Sequence, residues 1–472
     1  MNQDASLKRY TLLVAAMASF LTPFVGSAIN LAIPSIGNEF GSSAILLSWV
    51  VTSYLLASAA FLVPFGRLAD IMGRKKIFLA GMLFFSVSSL FCGLSWSVEA
   101  LIVFRILQGV GSAMIFGTGM AILTSVYPPQ ERGRVLGITV ATVYTGLSLG
   151  PVLGGLITHN LGWQSIFYFN FITGLFIVYF TYSKLTGEWA GARGEKFDLA
   201  GSVLYSAGLV MFMFGVSSVS NTGWAGYVLM AGIIILVLFI MYEMKLEYPV
   251  LNIRLFSRNP TFAFSNLAAL INYSATFAVG FLLSLHLQVV MGYNSQAAGL
   301  ILLSQPVIMA LLSPFAGRLS DRVEPRIVSS WGMALTTLGL LFFCFLTAGT
   351  PIWLVMINLA LLGTGFALFS SPNSNAVMGS VEKRFYGVAS STLGTMRLTG
   401  QAVSMAVVTL IIAFYVGNVK LSPEHSAMLV KSSRTAFIVF TALCFAGIFA
   451  SLARGNIITG ESPPGNVGER VN

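Results

Sequence analysis

Two short loops in this chain are near copies of each other, and each lies between long apolar stretches. The first reads Pro64-Phe65-Gly66-Arg67-Leu68-Ala69-Asp70 and continues through Gly73-Arg74-Lys75-Lys76. The second reads Pro314-Phe315-Ala316-Gly317-Arg318-Leu319-Ser320-Asp321, followed by Arg322 and Arg326. A charged loop repeated at equivalent places in two hydrophobic halves implies an internally duplicated membrane protein. In such folds the half-to-half interface holds a substrate site near mid-membrane.

The composition supports that reading. Of 472 residues, 56% are hydrophobic and 9% are charged, against about 25% charged in a soluble domain. A spanning helix needs roughly 20 apolar residues. Fourteen stretches qualify, near 10–33, 45–65, 77–96, 100–125, 135–158, 163–183, 199–219, 224–243, 262–290, 296–316, 327–348, 352–376, 388–414 and 434–453. The expected fold class is an all-α integral membrane protein: two six-helix bundles plus two linking helices. The first apolar stretch is too long for a signal peptide and is followed by thirteen more.

A net charge of +10 would suggest nucleic acid in a soluble protein, but its distribution argues otherwise. With the N-terminus inside, every Lys and Arg falls in or beside a cytoplasmic loop except Lys420, Lys431, Arg434, Arg105 and Arg397. This is the positive-inside bias. It predicts a multi-pass protein of the cytoplasmic membrane with both termini inside, a bilayer as partner and no nucleic acid. Cys92, Cys344 and Cys444 lie in apolar spans without pairing or metal-ligand spacing, as small core residues do. No metal-ligand cluster, nucleophile–base pair or phosphate loop suggests an enzyme, a metal or a cofactor.

Residues 1–185 form the first bundle and 186–258 the linking helices with a polar approach. Residues 259–455 form the second bundle, and 456–472 a disordered cytoplasmic tail. The segment from Lys245 to Arg258 mixes charge with apolar residues and reads as a short helix on the cytoplasmic face.

These motifs resemble the major facilitator superfamily, and in particular its fourteen-span drug–proton antiporter group. The first loop, Gly66 to Lys76, resembles the signature between spans two and three. Arg105-Ile106-Leu107-Gln108-Gly109-Val110-Gly111 resembles the span-four motif. Gly146, Gly150, Pro151, Gly154 and Gly155 resemble the antiporter motif of span five. Trp49 to Tyr54, Tyr248-Pro249 through Phe262, Leu287-Gln288 with Gly292-Tyr293 and Ala298-Gly299, and Arg397 with Gly400 follow in the group's order. The resemblance implies a secondary active transporter exporting small organic or drug-like solutes as a monomer, with protons as a candidate coupling ion. A proton-independent anion facilitator or importer, and a non-transporting sensor of the same fold, remain alternatives.

The group's span-one aspartate has no counterpart, since Val25 precedes Asn30-Leu31-Ala32-Ile33-Pro34 at that place. All 16 acidic residues fall in loops, tails or span ends. A charge at helix centre costs at least about 2.5–3.5 kcal/mol, so Arg105 and Arg397 should face a cavity or a partner. Each is either a cavity residue or a donor to backbone carbonyls. Unneutralised arginines would favour neutral or anionic solutes over cations. Asn30, Tyr54, Gln108, Tyr144, Asn272, Gln305, Asn373 and Gln401 complete the candidate cavity, each with an interhelical hydrogen bond as the other reading. Gly66, Arg67, Asp70, Gly73, Arg74, Arg132, Gly317, Arg318 and Asp321 form a candidate conformational latch. Asp70 is expected to pair with Arg74, Arg132 or Arg134, or to cap span thirteen near Gly387. Glycines four apart at 146, 150 and 154 put small residues on one helix face, as a fixed packing surface or a hinge.

Overall fold

The computed structural model describes residues 2–218, 223–246, 248–251, 253–320, 322–381, 386–417 and 423–455. The chain is built of helices. The first half holds α1 (Asn2–Phe40), α2 (Ala44–Met72), α3 (Arg74–Gly93), α4 (Val98–Val126), α5 (Pro129–Leu161) and α6 (Gln164–Lys184). Next come α7 (Leu199–Ser218), α8 (Ala225–Glu243) and the short α9 (Ile253–Arg258). The second half holds α10 (Pro260–Thr276), α11 (Val279–Leu285), α12 (Ser295–Leu302), α13 (Ser304–Ser320), α14 (Pro325–Phe343), α15 (Ile352–Gly379), α16 (Tyr386–Tyr415) and α17 (Ser426–Leu452). Among the described residues, 13 helical stretches are long and apolar enough to cross a membrane. The 33-residue α5 is the remaining long helix.

Starts and stops follow from local chemistry. Ser43, Ser97, Asn259 and Asn294 each accept a backbone N–H from the first turn of α2, α4, α10 and α12, as N-caps do. Pro129, Pro260 and Pro325 open their helices, where a missing N–H costs nothing. Between α2 and α3 the chain turns at Gly73 with φ 120°, a conformation strained for any residue with a Cβ.

The two halves repeat each other. In the first, α1 packs along α5, α2 along α4, and α3 against α4 and α6. In the second, α10 packs along α16, α13 along α15, and α14 against α15 and α17. The two most extensive pairings between the halves are α2 with α16 and α5 with α12, and the repeat exchanges one for the other. Exposed apolar side chains on α3, α6 and α8, such as Phe84, Phe176 and Leu238, form an outward surface suited to lipid. Buried hydroxyls such as Ser86, Ser89 and Thr181 donate to the carbonyl one turn back, which satisfies them without water.

Some boundaries differ from the sequence reading. Helix α1 starts at Asn2, well before the first apolar stretch, and the surface helix expected over 245–258 shrinks to Ile253–Arg258. Span nine is broken at Phe277–Ala278, where the Ala278 N–H donates to Ser404 Oγ of α16 at 3.1 Å. A side chain inserted into the ladder is a recognised cause of such a break. Span ten divides at Leu303, and Pro306 just beyond lacks the N–H that would bond the Leu302 carbonyl. The tail after Gly455 lies outside the described residues.

Candidate functional site: a cavity between the halves

Between the two halves lies a cavity of about 180 Å³. It is lined from the first half by α1, α2, α4 and α5, and from the second by α10, α11, α12, α13, α15 and α16. Five of the expected residues face it: Asn30, Tyr54, Gln305, Arg397 and Gln401. Rings from Tyr54, Phe116, Tyr273, Phe277 and Phe366 make up much of its wall. Among the described lining residues Arg397 alone carries a charge. Its guanidinium carbon sits 5.6 Å from the centroid of the Phe116 ring, in cation–π range. Its Nε is buried and has no hydrogen-bond partner among the described residues.

Four expected residues are elsewhere. Arg105 is fully buried among α2, α3 and α4. Its Nε donates to the Val50 carbonyl at 3.0 Å, and Nη1 donates to Gln108 Oε1. Gln108 Nε2 in turn donates to Ser89 Oγ at 2.6 Å. The donor reading therefore holds for Arg105 and Gln108: they tie three helices together behind the cavity wall. Asn373 is drawn to the helix ends by Arg454, whose Nη1 donates to its Oδ1 at 2.8 Å. Asn272 is fully buried and does not line the cavity. Asn272 adjoins the lining residue Tyr273 but lies on a different helix face, whereas Asn373 is about 10 Å along α15 from the lining residue Phe366. Tyr144 is on α5, and its side chain lies outside the described set.

Arg454 itself was placed in a loop by sequence and is fully buried. Its Nε and Nη2 donate to the Ser451 carbonyl and hydroxyl, while its own carbonyl accepts from Thr261. Burial lowers its pKa to about 9, which leaves it cationic at neutral pH.

Four side-chain hydrogen-bond contacts seen between the halves among the described residues lie toward one end of the bundle, the end away from the Arg67–Arg74 loop. Ser284 Oγ donates to the Asn30 carbonyl at 2.5 Å, Gln288 Nε2 to the Leu31 carbonyl at 3.3 Å, and Ser295 Oγ to the Gly155 carbonyl at 3.3 Å. Thr52 and Thr409 hydroxyls are 3.5 Å apart. Gln288 lies in the one-turn π-helix His286–Val290, and such bulges frequently occur at functional sites.

A helical proline explains why one of those carbonyls, that of Asn30, can accept, and two more carbonyls are freed in the same way. A proline at position i has no N–H for the carbonyl at i−4. Pro34 thereby releases Asn30, which Ser284 takes. Pro151 releases Leu147, to which Ser27 donates at 3.2 Å, and Pro64 releases Ala60, to which Ser206 donates at 2.8 Å. Each freed acceptor is met by a serine from another helix.

The span-five glycines face two neighbours. Cβ atoms added at Gly146, Gly150 and Gly154 would collide with Phe20, Ser27 and Ala28 of α1. One at Gly155 would collide with Ser295, and one at Gly299 with Pro151. The first set sits inside one half and the second brings the halves into backbone contact.

At the other end, Asp70 Oδ1 accepts from Arg74 Nε at 2.8 Å and is 2.7 Å from its Nη2. Arg74 Nη1 also reaches the Ala121 carbonyl and Ser125 Oγ of α4. Of the partners expected for Asp70, Arg74 is found, while Arg132, Arg134 and Gly387 lie outside the residues whose side chains are described. Sequence did not reveal that residues 185–198 cover this loop. Glu195 pairs with Arg67, Glu188 Oε1 accepts the Lys75 N–H at 2.8 Å, and the Trp189 carbonyl accepts the Arg74 N–H. The signal lay in three acids, Glu188, Glu195 and Asp198, in a short segment beside a basic loop. Gly66 and Gly117 approach closely between α2 and α4. In the second loop Gly317 abuts Ser371 and Arg318 is exposed. Asp321 and the side chain of Arg132 lie outside the described set.

Two helical repeats around a central cavity, with breaks and prolines where they meet, define a transporter fold. The sequence matches the Major Facilitator Superfamily over residues 15–244 and 266–469, and the chain belongs to that family, whose members are transporters and not enzymes. It is similar to the riboflavin transporter RibZ of Clostridioides difficile, with 28% identity over 94% of this chain and 97% of that one. It is also similar to the cephamycin export protein CmcT of Amycolatopsis lactamdurans, with 32% identity over 84% and 83%. A bacterial homologue of the human lysosomal transporter Spinster, solved in an inward-facing, unoccupied conformation, superposes with a TM-score of 0.71. Its identity is 16%, over 97% of this chain and 99% of that one. The protein is a secondary transporter of this superfamily.

Proposed function

We propose that the chain exports a small organic solute, neutral or anionic and carrying an aromatic ring, by alternating access. The single observation that carries the solute class is Arg397, the one charge among the described lining residues. A guanidinium offers two parallel N–H donors to a carboxylate or sulfonate, and the surrounding rings suit a planar partner. A cation would meet only repulsion there.

The direction rests on charge and on where the halves touch. The positive-inside bias makes the basic end cytoplasmic, so the hydrogen-bonded end is external and the cavity opens inward. The halves would then rock about this cavity, the Asn30–Ser284 and Gly155–Ser295 contacts parting as the basic loops close. A single chain lines the cavity from both halves, which supports action as a monomer. The described lining holds no carboxylate, so a coupling proton would be carried by a group outside that set.

The test is flux in proteoliposomes over a panel of anionic, neutral and cationic aromatic solutes, with and without an imposed pH gradient. Transport of anionic or neutral members supports the reading, and a clear preference for organic cations would overturn it.

A further inference from the structure

Away from the cavity, two carboxyl groups meet at the foot of the linking helices. Asp198 is the N-cap of α7, and its Oδ1 accepts the Gly201 N–H at 2.9 Å. Glu243 ends α8 and is 98% buried, being 2% exposed. Its Oε2 accepts the Leu251 N–H at 3.1 Å. The remaining oxygens, Asp198 Oδ2 and Glu243 Oε1, are both buried and have no hydrogen-bond donor among the described residues. Both lie against the same face of Gly201, and the two side chains are within hydrogen-bond reach of each other.

Two facing oxygens without a donor would repel if both groups were ionised. A shared proton removes the repulsion and satisfies both orphaned atoms at once. Helix polarity assigns it. Asp198 sits at the positive N-terminus of α7, which favours its anion. Glu243 sits at the negative C-terminus of α8 and is the more deeply buried, which favours its acid form. Among the described residues no Lys or Arg forms an ion pair with either, and Lys245 is exposed. Among the described residues the other titratable group facing the pair is Tyr242, whose hydroxyl lies 3.4 Å from Asp198 Oδ1.

We propose that Asp198 and Glu243 form a proton-binding site, in which the Glu243 carboxyl donates its proton to the Asp198 carboxylate. On deprotonation the O–H bond of Glu243 breaks, the proton leaves to water, and two carboxylates are left in contact. That state pushes the feet of α7 and α8 apart. Helix α7 carries the consequence to both halves. Tyr205, seven residues on and about 10 Å along the helix, donates to the Ala59 carbonyl of α2 at 3.1 Å, and its hydroxyl lies beside Thr399 of α16. Thr399 is two residues from Arg397. The site is thus placed to make the packing of the halves respond to cytoplasmic pH. Its titration is independent of which solute the cavity takes.

The site is tested on the purified full-length protein by following melting temperature from mildly acidic to mildly alkaline pH. The folded protein holds a proton that the unfolded chain has released, so stability falls as pH rises through the deprotonation. A drop of several degrees is expected for wild type. In Glu243→Gln, whose amide keeps a neutral donor toward Asp198, the drop disappears. Asp198→Asn also removes it. Infrared spectra report the proton directly: a protonated-carboxyl C=O band is present at neutral pH in wild type and missing in Glu243→Gln. A flat wild-type profile, a drop that survives in Glu243→Gln, or failure of that isosteric variant to fold would each overturn the proposal.

Discussion

The Arg105 guanidinium carbon lies 4.1 Å from the centroid of the Tyr54 ring, and Tyr54 lines the cavity while Arg105 does not. The arginine is a buttress. It holds the ring from behind by cation–π attraction, while the Tyr54 hydroxyl donates to Ser112 Oγ at 2.8 Å.

Arg105→Leu is therefore expected to act on stability first. It removes one donor from the Val50 carbonyl and leaves Gln108 Oε1 without its arginine partner, and hydrogen bonds from a charged group are worth about 1.5–3 kcal/mol each. Thermal unfolding of the detergent-purified protein should show a marked loss for Arg105→Leu. Tyr54→Phe, which loses one neutral bond, should cost about 1 kcal/mol. A well-folded, thermally unchanged Arg105→Leu variant that had lost only solute binding would return Arg105 to the cavity.

Asp70 is predicted to matter more for conformational exchange than for folding. Its pair with Arg74 is part-exposed, and such pairs contribute roughly 0–1 kcal/mol. Asp70→Asn should insert and melt almost normally. It should slow transport and raise the labelling of cysteines introduced at the basic end, because Arg74 loses the partner that orients it toward α4. Unchanged transport together with unchanged labelling would remove Asp70 from the latch.

The Asn30–Ser284 bond should couple to Pro34. Ser284→Ala removes the donor to a carbonyl that has no other helical partner. It is expected to weaken closure of the external end by about 1 kcal/mol, seen as greater external cysteine accessibility. Pro34→Ala restores an N–H to that carbonyl, so Ser284→Ala should cost far less in that background. Additive effects in the double-mutant cycle would mean the proline does not set up the gate. Gly299→Ala should act on the same equilibrium by steric means, holding α12 off Pro151 and reducing transport.

How much of this was legible depends on what each signal encodes. Apolar length and loop charge gave the helices and the duplication, because a bilayer imposes both at fixed spacing. The depth of Arg397 was readable from its distance along α16. The direction in which a residue faces was not: Arg105, Gln108, Asn272 and Asn373 sit in spans but turn away from the cavity, toward partners that only packing creates. The serine–carbonyl contacts were hidden for the same reason, although each proline announced a free acceptor. Glu243 was counted as a span-end acid, and its meeting with Asp198 depends on how α7 and α8 pair.

The most direct test of the central claim is equilibrium binding of an aromatic carboxylate or sulfonate to purified wild type, Arg397→Lys and Arg397→Gln, each first shown to be folded. Arg397→Lys keeps the charge and loses the two-pronged donor, so affinity should fall roughly tenfold or more, as loss of a charged hydrogen bond implies. Arg397→Gln should lose more, with melting temperature little changed. Wild-type anion affinity in a folded Arg397→Gln variant would contradict the assignment of Arg397 as the solute-binding cation.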